Sequence, residues 1–204
     1  QSYNFIEDYE ISFMIVFIVL VTLLILYIVY ENHTRNKELL KYAQTDALTG
    51  LYNKETTEQL TDELLSEDEN KYHAFLILDV DCFKQINDIY GHAVGDIVLQ
   101  KFGKLLKGTF REGDILGRIG GDEFGVIMKN IQTKDIAMKK AEELLAKTQA
   151  YKIDELKGNN ISISIGISTA PQDGDCYMDL YKRADQALYQ AKRSGKARVC
   201  NYFS

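Results

Sequence analysis

Hydrophobic and polar positions divide the chain into one long apolar run followed by a region of shorter periodic segments. From Ile11 to Tyr30 no residue is charged, and only Ser12 and Thr22 are not apolar. A run of about 20 residues rising ~1.5 Å each covers the ~30 Å hydrocarbon layer of a bilayer. It also lacks the polar stripe that a helix of a soluble core keeps. The run therefore predicts a transmembrane helix over 11–30, with Tyr27 and Tyr30 near the interface. Glu7, Asp8 and Glu10 precede it and no small-x-small cleavage site follows, unlike a secretory signal peptide. Arg35, Lys37 and Lys41 stand past its other end, and a basic flank belongs on the cytoplasmic side. Residues 1–10 are then an extracytoplasmic flank, and the chain is expected to be a single-pass protein of the inner (cytoplasmic) membrane. Residues 31–45 lack Gly and Pro and carry good helix formers, predicting a stalk that continues the helix. Leu39, Leu40 and Ala43 could pack on a second copy or simply face water, because one heptad does not establish a coiled coil. The first residue is Gln1 rather than Met, which reads as a fragment or processed product with a sensory region upstream.

From Asp46 to Ser204 the length is that of one domain. Helical spacing appears at about 53–66, 84–90, 95–110, 133–150 and 176–193. Strand-like runs appear at 73–80, 115–119, 124–129 and 161–169, with a short one at 197–202. Two of these runs straddle Gly120-Gly121-Asp122-Glu123 with only a turn between them, which predicts an antiparallel hairpin. The fold class is α+β, or α/β with a mixed sheet, the sheet being covered by helices.

Composition narrows the chemistry. Lys and Arg total 24 against 30 Asp and Glu, a formal net charge of −6. That balance argues against a protein that coats nucleic-acid phosphates, so no nucleic acid polymer is expected as a partner. The three cysteines, Cys82, Cys176 and Cys200, have no C-x-x-C spacing, so neither a disulfide framework nor a zinc knuckle is suggested.

The acidic residues carry the candidate chemistry. Asp79 and Asp81 close the apolar run AFLILDVD, and Asp122 and Glu123 sit in the glycine turn. If the two strands are neighbours, four carboxylates converge, and such a group is unfavourable unless a divalent cation neutralises it. Oxygen-only ligands suit magnesium holding a triphosphate. Each acidic pair alone is more often a turn or a cap; their joint placement at strand ends is what points to a metal site. Phe83 and Lys84 open the next helix, whose N-terminal amides can receive phosphate.

Five blocks in order, DALTGLYNK at 46–54, DVDCFKQINDIYGHAVGD at 79–96, RIGGDEF at 118–124, SIGI at 164–167 and ADQALYQAKRSGKARV at 184–199, resemble the GGDEF domain of diguanylate cyclases. The resemblance implies a nucleotidyl cyclase or polymerase palm-like fold. It also implies condensation of two GTP into cyclic di-GMP and two pyrophosphates, as a bacterial second messenger for signal transduction. It places Asp79, the Val80 carbonyl and Asp122 on Mg2+, or Mn2+ in its place, with Glu123 as a ligand or base. It puts the β- and γ-phosphates against Phe83, Lys84, Lys192 and Lys196. Asn87 and Asp96 match positions that read guanine, and a carboxylate suits the N1–H and N2 donors that adenine lacks. The other reading of Asp96 is an N-terminal helix position after Gly95. His92, in the loop GHAVGD, reads as packed or capping rather than catalytic.

Arg111-Glu112-Gly113-Asp114 is an R-x-x-D sequence where the family carries its product-inhibition site. One site holds one GTP whereas the product contains two, so a homodimer is expected. The chain departs from the family at Lys54, Cys82 and Lys196-Ala197, where arginine, a bulky residue and Arg-Asn are usual. Lysine for arginine keeps the charge and loses the planar fork. A silent module that binds GTP or cyclic di-GMP and docks to a protein partner is the competing reading. The intact acidic residues argue against it, and Asp96 argues against altered purine choice.

Overall fold

The computed structural model describes the backbone of residues 2–67 and 71–202. In the first helix, side chains are described at 13–14, 17–33, 35 and 43–44. Two compact units result, Gln1–Ala43 and Gln44–Ser204.

The first unit lies within α1 (Ser2–Gln44), one uninterrupted helix of 43 residues that carries the apolar run and ends before Thr45. Every side chain described in it is exposed. The Thr22 hydroxyl donates to its own helix, at the carbonyls of Ile18 (3.0 Å) and Val19 (2.8 Å). Among the described residues no helix is long and apolar enough to cross a membrane. The flank 1–10, the basic residues Lys37 and Lys41, and the stalk leucines Leu39 and Leu40 lie outside the described side chains.

The second unit is an α+β domain. In chain order it contains α2 (Lys54–Glu67), β1 (His73–Val80), α3 (Phe83–Tyr90), α4 (His92–Lys107), β2 (Ile115–Arg118) and β3 (Glu123–Met128). There follow α5 (Lys134–Ala150), a 3-10 turn (Asp154–Leu156), β4 (Ile163–Ala170), α6 (Tyr177–Arg193) and β5 (Val199–Asn201). The strands lie in the order β2-β3-β1-β4-β5. All neighbours are antiparallel except β4 and β5. The central strand β1 is buried along its whole length, as its unbroken apolar run requires.

Alternation in β1 sorts its residues between two cores. Ala74, Leu76, Leu78 and Val80 face one core with Val98, Phe102 and Leu106 of α4 and Ala141 and Leu144 of α5. There Phe102 meets Phe124 edge to face at 4.9 Å, a pair worth about 0.5–1.5 kcal/mol beyond its buried area. Phe75 and Ile77 face the other core with Leu65 of α2 and Tyr177, Leu180, Ala184 and Leu188 of α6. By the same period Asp79 points to the α6 side. One row across the sheet reads Gly117, Gly125, Ile77, Gly166. A methyl group at Gly166 would collide with the Ala184 carbonyl and the Leu188 amide, so α6 lies with its backbone directly on β4.

The start of α4 and the 3-10 turn depart most from the sequence expectation. Helix α4 begins at His92 rather than near 95, because Gly91 alone, at φ 86°, turns the chain out of α3. Residues 92–96 are therefore helical and not loop. The 3-10 turn at Asp154–Leu156 carries too few residues to leave a periodic pattern.

Gly166→Ala should lower unfolding free energy by about 3 kcal/mol, since the obstacle is helix backbone rather than a movable side chain. Urea unfolding checks this: a midpoint within error of the parent would mean that α6 can lift off β4 freely.

Candidate active site

The registration of β1 against β3 makes Asp79 and Glu123 direct cross-strand partners. Like charges opposite one another destabilise a sheet pair. They are retained here at the mouth of the α6 face. Asp79 is 7% exposed, and Lys192, one turn beyond Leu188, reaches it with Nζ 2.7 Å from Oδ2. Burial raises the Asp79 carboxyl above the ordinary carboxylate range; the Lys192 ammonium offsets part of this, and Asp122 and Asp81 add repulsion. Glu123 is raised in the same way, first by burial and then by Asp79, with Lys192 opposing and Asp122 and Asp185 adding.

The glycine turn is held from behind. The Arg118 guanidinium donates to the Gly121 carbonyl through Nε (3.2 Å) and Nη2 (2.7 Å), and through Nη1 to both carboxylate oxygens of Asp46 at 3.2 Å. Asp46 in turn accepts from the Thr49 amide (2.9 Å) and hydroxyl (2.7 Å). Burial opposes ionisation of Asp46, but these Thr49 bonds and the Arg118 charge outweigh it and hold the carboxyl below its usual range. The Ile119 and Gly120 amides both donate to the Glu123 carbonyl, closing the turn. The Val80 amide donates to the Asp122 carbonyl at 3.2 Å, tying the turn to the end of β1. Sequence reading assigned no role to Arg118 or Asp46. The D-x-x-T pattern at 46–49 was their one local sign, since aspartate caps its own turn in that way.

Asp81 corrects the expected four-carboxylate cluster. It is 6% exposed, and its oxygens are taken by the Ser162 hydroxyl (2.8 Å), the Ser164 hydroxyl (2.7 Å) and the Ala197 amide (3.1 Å). Three carboxylates, Asp79, Asp122 and Glu123, therefore face the site. Among the described residues the only trio of ligand-type atoms within 4.8 Å of one another is Asp175, Cys176 and Asp179, at the opposite end of α6. Hard oxygen donors, two of them, Asp79 and Glu123, with ionisation opposed by burial, fit magnesium.

The remaining predicted residues fall around this point. Phe83 is half-buried and Lys84 exposed in the first turn of α3. Lys196 Nζ lies 3.2 Å from Cys82 Sγ at that same helix start, so both predicted phosphate lysines of the chain's end reach the β1 terminus. Asn87 packs against Gly95, where a methyl group would overlap its side-chain oxygen; this brings α3 beside exposed Asp96. Asp96 lies a full turn inside α4, so it is not a cap. His92 is exposed at the first position of α4 rather than packed.

Arg111 and Asp114 occupy a separate place. The Asp114 carboxylate accepts from the amides of Arg111 and Lys129, both at 3.1 Å, so it shapes the turn that presents exposed Arg111. These two residues border a hollow of about 260 Å³ with Lys139, Lys140 and Glu143.

This sheet with its acidic turn matches the family described as diguanylate cyclase, GGDEF domain, over residues 43–198. The chain belongs to that family. It is similar to diguanylate cyclase A of Treponema denticola, 37% identical over 170 residues that make up 80% of this chain and 46% of that protein. The chain thus spans about half the length of that curated relative. Of solved structures, it is similar to the coiled coil and GGDEF domain of DgcB from Caulobacter crescentus in complex with c-di-GMP. The TM-score there is 0.78 and the identity 26%, covering 85% of this chain and 93% of that one. The GGDEF domain of TpbB from Pseudomonas aeruginosa superposes with a TM-score of 0.74 at 33% identity, over 78% of this chain and 94% of that one.

Because folding raises the Glu123 carboxyl, the folded chain holds that proton more tightly than the unfolded chain, and ionisation weakens the fold. In chelator-treated protein Glu123→Gln should therefore be more stable than the parent at pH 7. The advantage should vanish as pH falls through the ordinary glutamate value of 4.5. Urea midpoints at the two pH values test the sign; a Gln variant weaker at pH 7 refutes it.

Proposed function

We propose that the chain is a membrane-anchored diguanylate cyclase that condenses two GTP into cyclic di-GMP and two pyrophosphates, with Mg2+ as cofactor and a homodimer as the active form. The observation that carries this reading is the cross-strand pair of buried Asp79 and half-buried Glu123 at a strand end, with Lys192 and Lys196 beside it. Magnesium held by Asp79, the Val80 carbonyl, Asp122 and Glu123 would supply charge neutralisation on the triphosphate. The protein's own groups do the rest. Lys192, Lys196, Lys84 and the α3 amides bind the β- and γ-phosphates. The carboxylate of Asp96 accepts from the guanine N1–H and N2–H, and Asn87 contacts the same base. Glu123 serves either as a metal ligand or, where it stays off the metal, as the base that takes the proton of the attacking 3′-hydroxyl. Each domain presents one GTP, and facing two copies aligns the hydroxyl of one with the α-phosphorus of the other.

The anchor rests on the run Ile11–Tyr30 and on the continuous helix that carries it. The internal bonds of Thr22 leave its hydroxyl compatible with lipid. Feedback by the product rests on Arg111, whose exposed guanidinium shares its hollow with Lys139 and Lys140.

With Mg2+, the full chain should make cyclic di-GMP from GTP and nothing from ATP, and Asp122→Ala should lower the rate about 100-fold or more. The rate should rise with the square of enzyme concentration at high dilution. Arg111→Ala should keep the initial rate and lose inhibition by added cyclic di-GMP. Turnover of ATP, or an active Asp122→Ala, would sink the assignment. For the anchor, the chain should float with phosphatidylglycerol vesicles in a density gradient even in high salt; recovery in the bottom fraction rejects it.

A further inference from the structure

Asp81 is buried beside the proposed metal carboxylates, yet its oxygens are taken by protein groups. Oδ1 accepts from the Ser164 hydroxyl, and Oδ2 accepts from the Ser162 hydroxyl and the Ala197 amide. The first two partners are on the β4 side of the sheet, and the third is in the loop after α6. That loop is unusual. Lys196 and Ala197 both have positive φ, 61° and 48°, a region that side-chain-bearing residues rarely adopt. Two consecutive residues held there need support from outside the loop. The neighbouring ties are the Lys196 amide to the Ala191 carbonyl (3.1 Å), the Arg198 Nε to the Lys196 carbonyl (3.1 Å) and the Ile165 amide to the Arg198 carbonyl (2.9 Å). Of these contacts, the one to Asp81 joins the loop to the end of β1.

We infer that Asp81 is a positioning residue for the triphosphate: its buried carboxylate clamps the left-handed Lys196–Ala197 turn to the end of β1 and so aims Lys196 at the start of α3. Lys196 Nζ already rests on Cys82 Sγ at that helix start. This inference rests on the proposed function, because it presumes that triphosphate binds there. It assigns Asp81 neither a metal nor the base. A metal ligand could not exchange a carboxylate oxygen for an amide without loss. A clamp can: in Asp81→Asn the amide oxygen can accept from Ser162 and Ala197 while its NH2 donates to Ser164, whose hydroxyl turns to accept.

The test is binding of GMP and of a non-hydrolysable GTP analogue to the full chain with Mg2+, reported as the ratio of the two affinities. In the parent the analogue should bind more tightly. Asp81→Ala should cut the ratio about tenfold, the loss expected for one charge-assisted phosphate contact, with GMP affinity unchanged. Asp81→Asn should stay within about twofold of the parent. Adding Lys196→Ala to Asp81→Ala should change the ratio no further, because both act on one contact. Asp81→Ser, which keeps a polar group near Ser164 but is too short to reach Ala197, should fall with Asp81→Ala and guards against misfolding of the alanine variant. A ratio that falls equally in Asn and Ala makes Asp81 a metal ligand and overturns the inference, as does an unchanged ratio in both Ala and Ser. Equal affinities for GMP and the analogue in the parent overturn the proposed function itself, and the clamp with it.

Discussion

Two carboxylates that repel each other are forced to be neighbours by the registration of a sheet. Asp79 and Glu123 pair across β1 and β3, and the alternation that buries Phe75 and Ile77 under α6 turns both onto that face. Burial raises both carboxyls, Asp79 adds to the rise at Glu123, and the Lys192 ammonium offsets only part of it. What holds them is the rest of the domain, namely two hydrophobic cores clamping β1 from both sides. The stability of those cores maintains an arrangement that a divalent cation would relieve.

The cationic side has a different origin. Lys192 sits in the last turn of α6, and its reach to Asp79 depends on how closely the helix approaches the sheet. That distance is set by Gly166, which lets helix backbone rest on strand backbone. The glycine turn is likewise set from outside itself, through Arg118 and its two-sided grip on Gly121 and Asp46. An arginine with a planar fork can serve both partners at once; a lysine could not.

Much of this was legible in the chain. The unbroken apolar run of β1, the hairpin around the glycine pair and five helices announce themselves by period, and the acidic residues at the strand ends announce a site. What was not legible depended on distant residues. Asp81 looks like a fourth site carboxylate until Ser162, Ser164 and Ala197 arrive from the far end of the domain to bind it. Asp96 looks like a helix start because Gly95 precedes it, whereas the chain had already turned at Gly91. In both cases a short-range pattern was read correctly and then overruled by a longer-range contact or an earlier turn.

The two sides of the site are therefore anchored unequally. The acids stand on the central, fully buried strand of a five-stranded sheet, held by ladder bonds on both edges. The lysines hang from a helix end and from a loop in left-handed conformation, whose placement relies on one glycine and one buried aspartate. Rigid acids and more lightly anchored cations suit the proposed function, in which the acidic side would stay fixed on a metal while the cationic side would accommodate first a triphosphate and then a departing pyrophosphate.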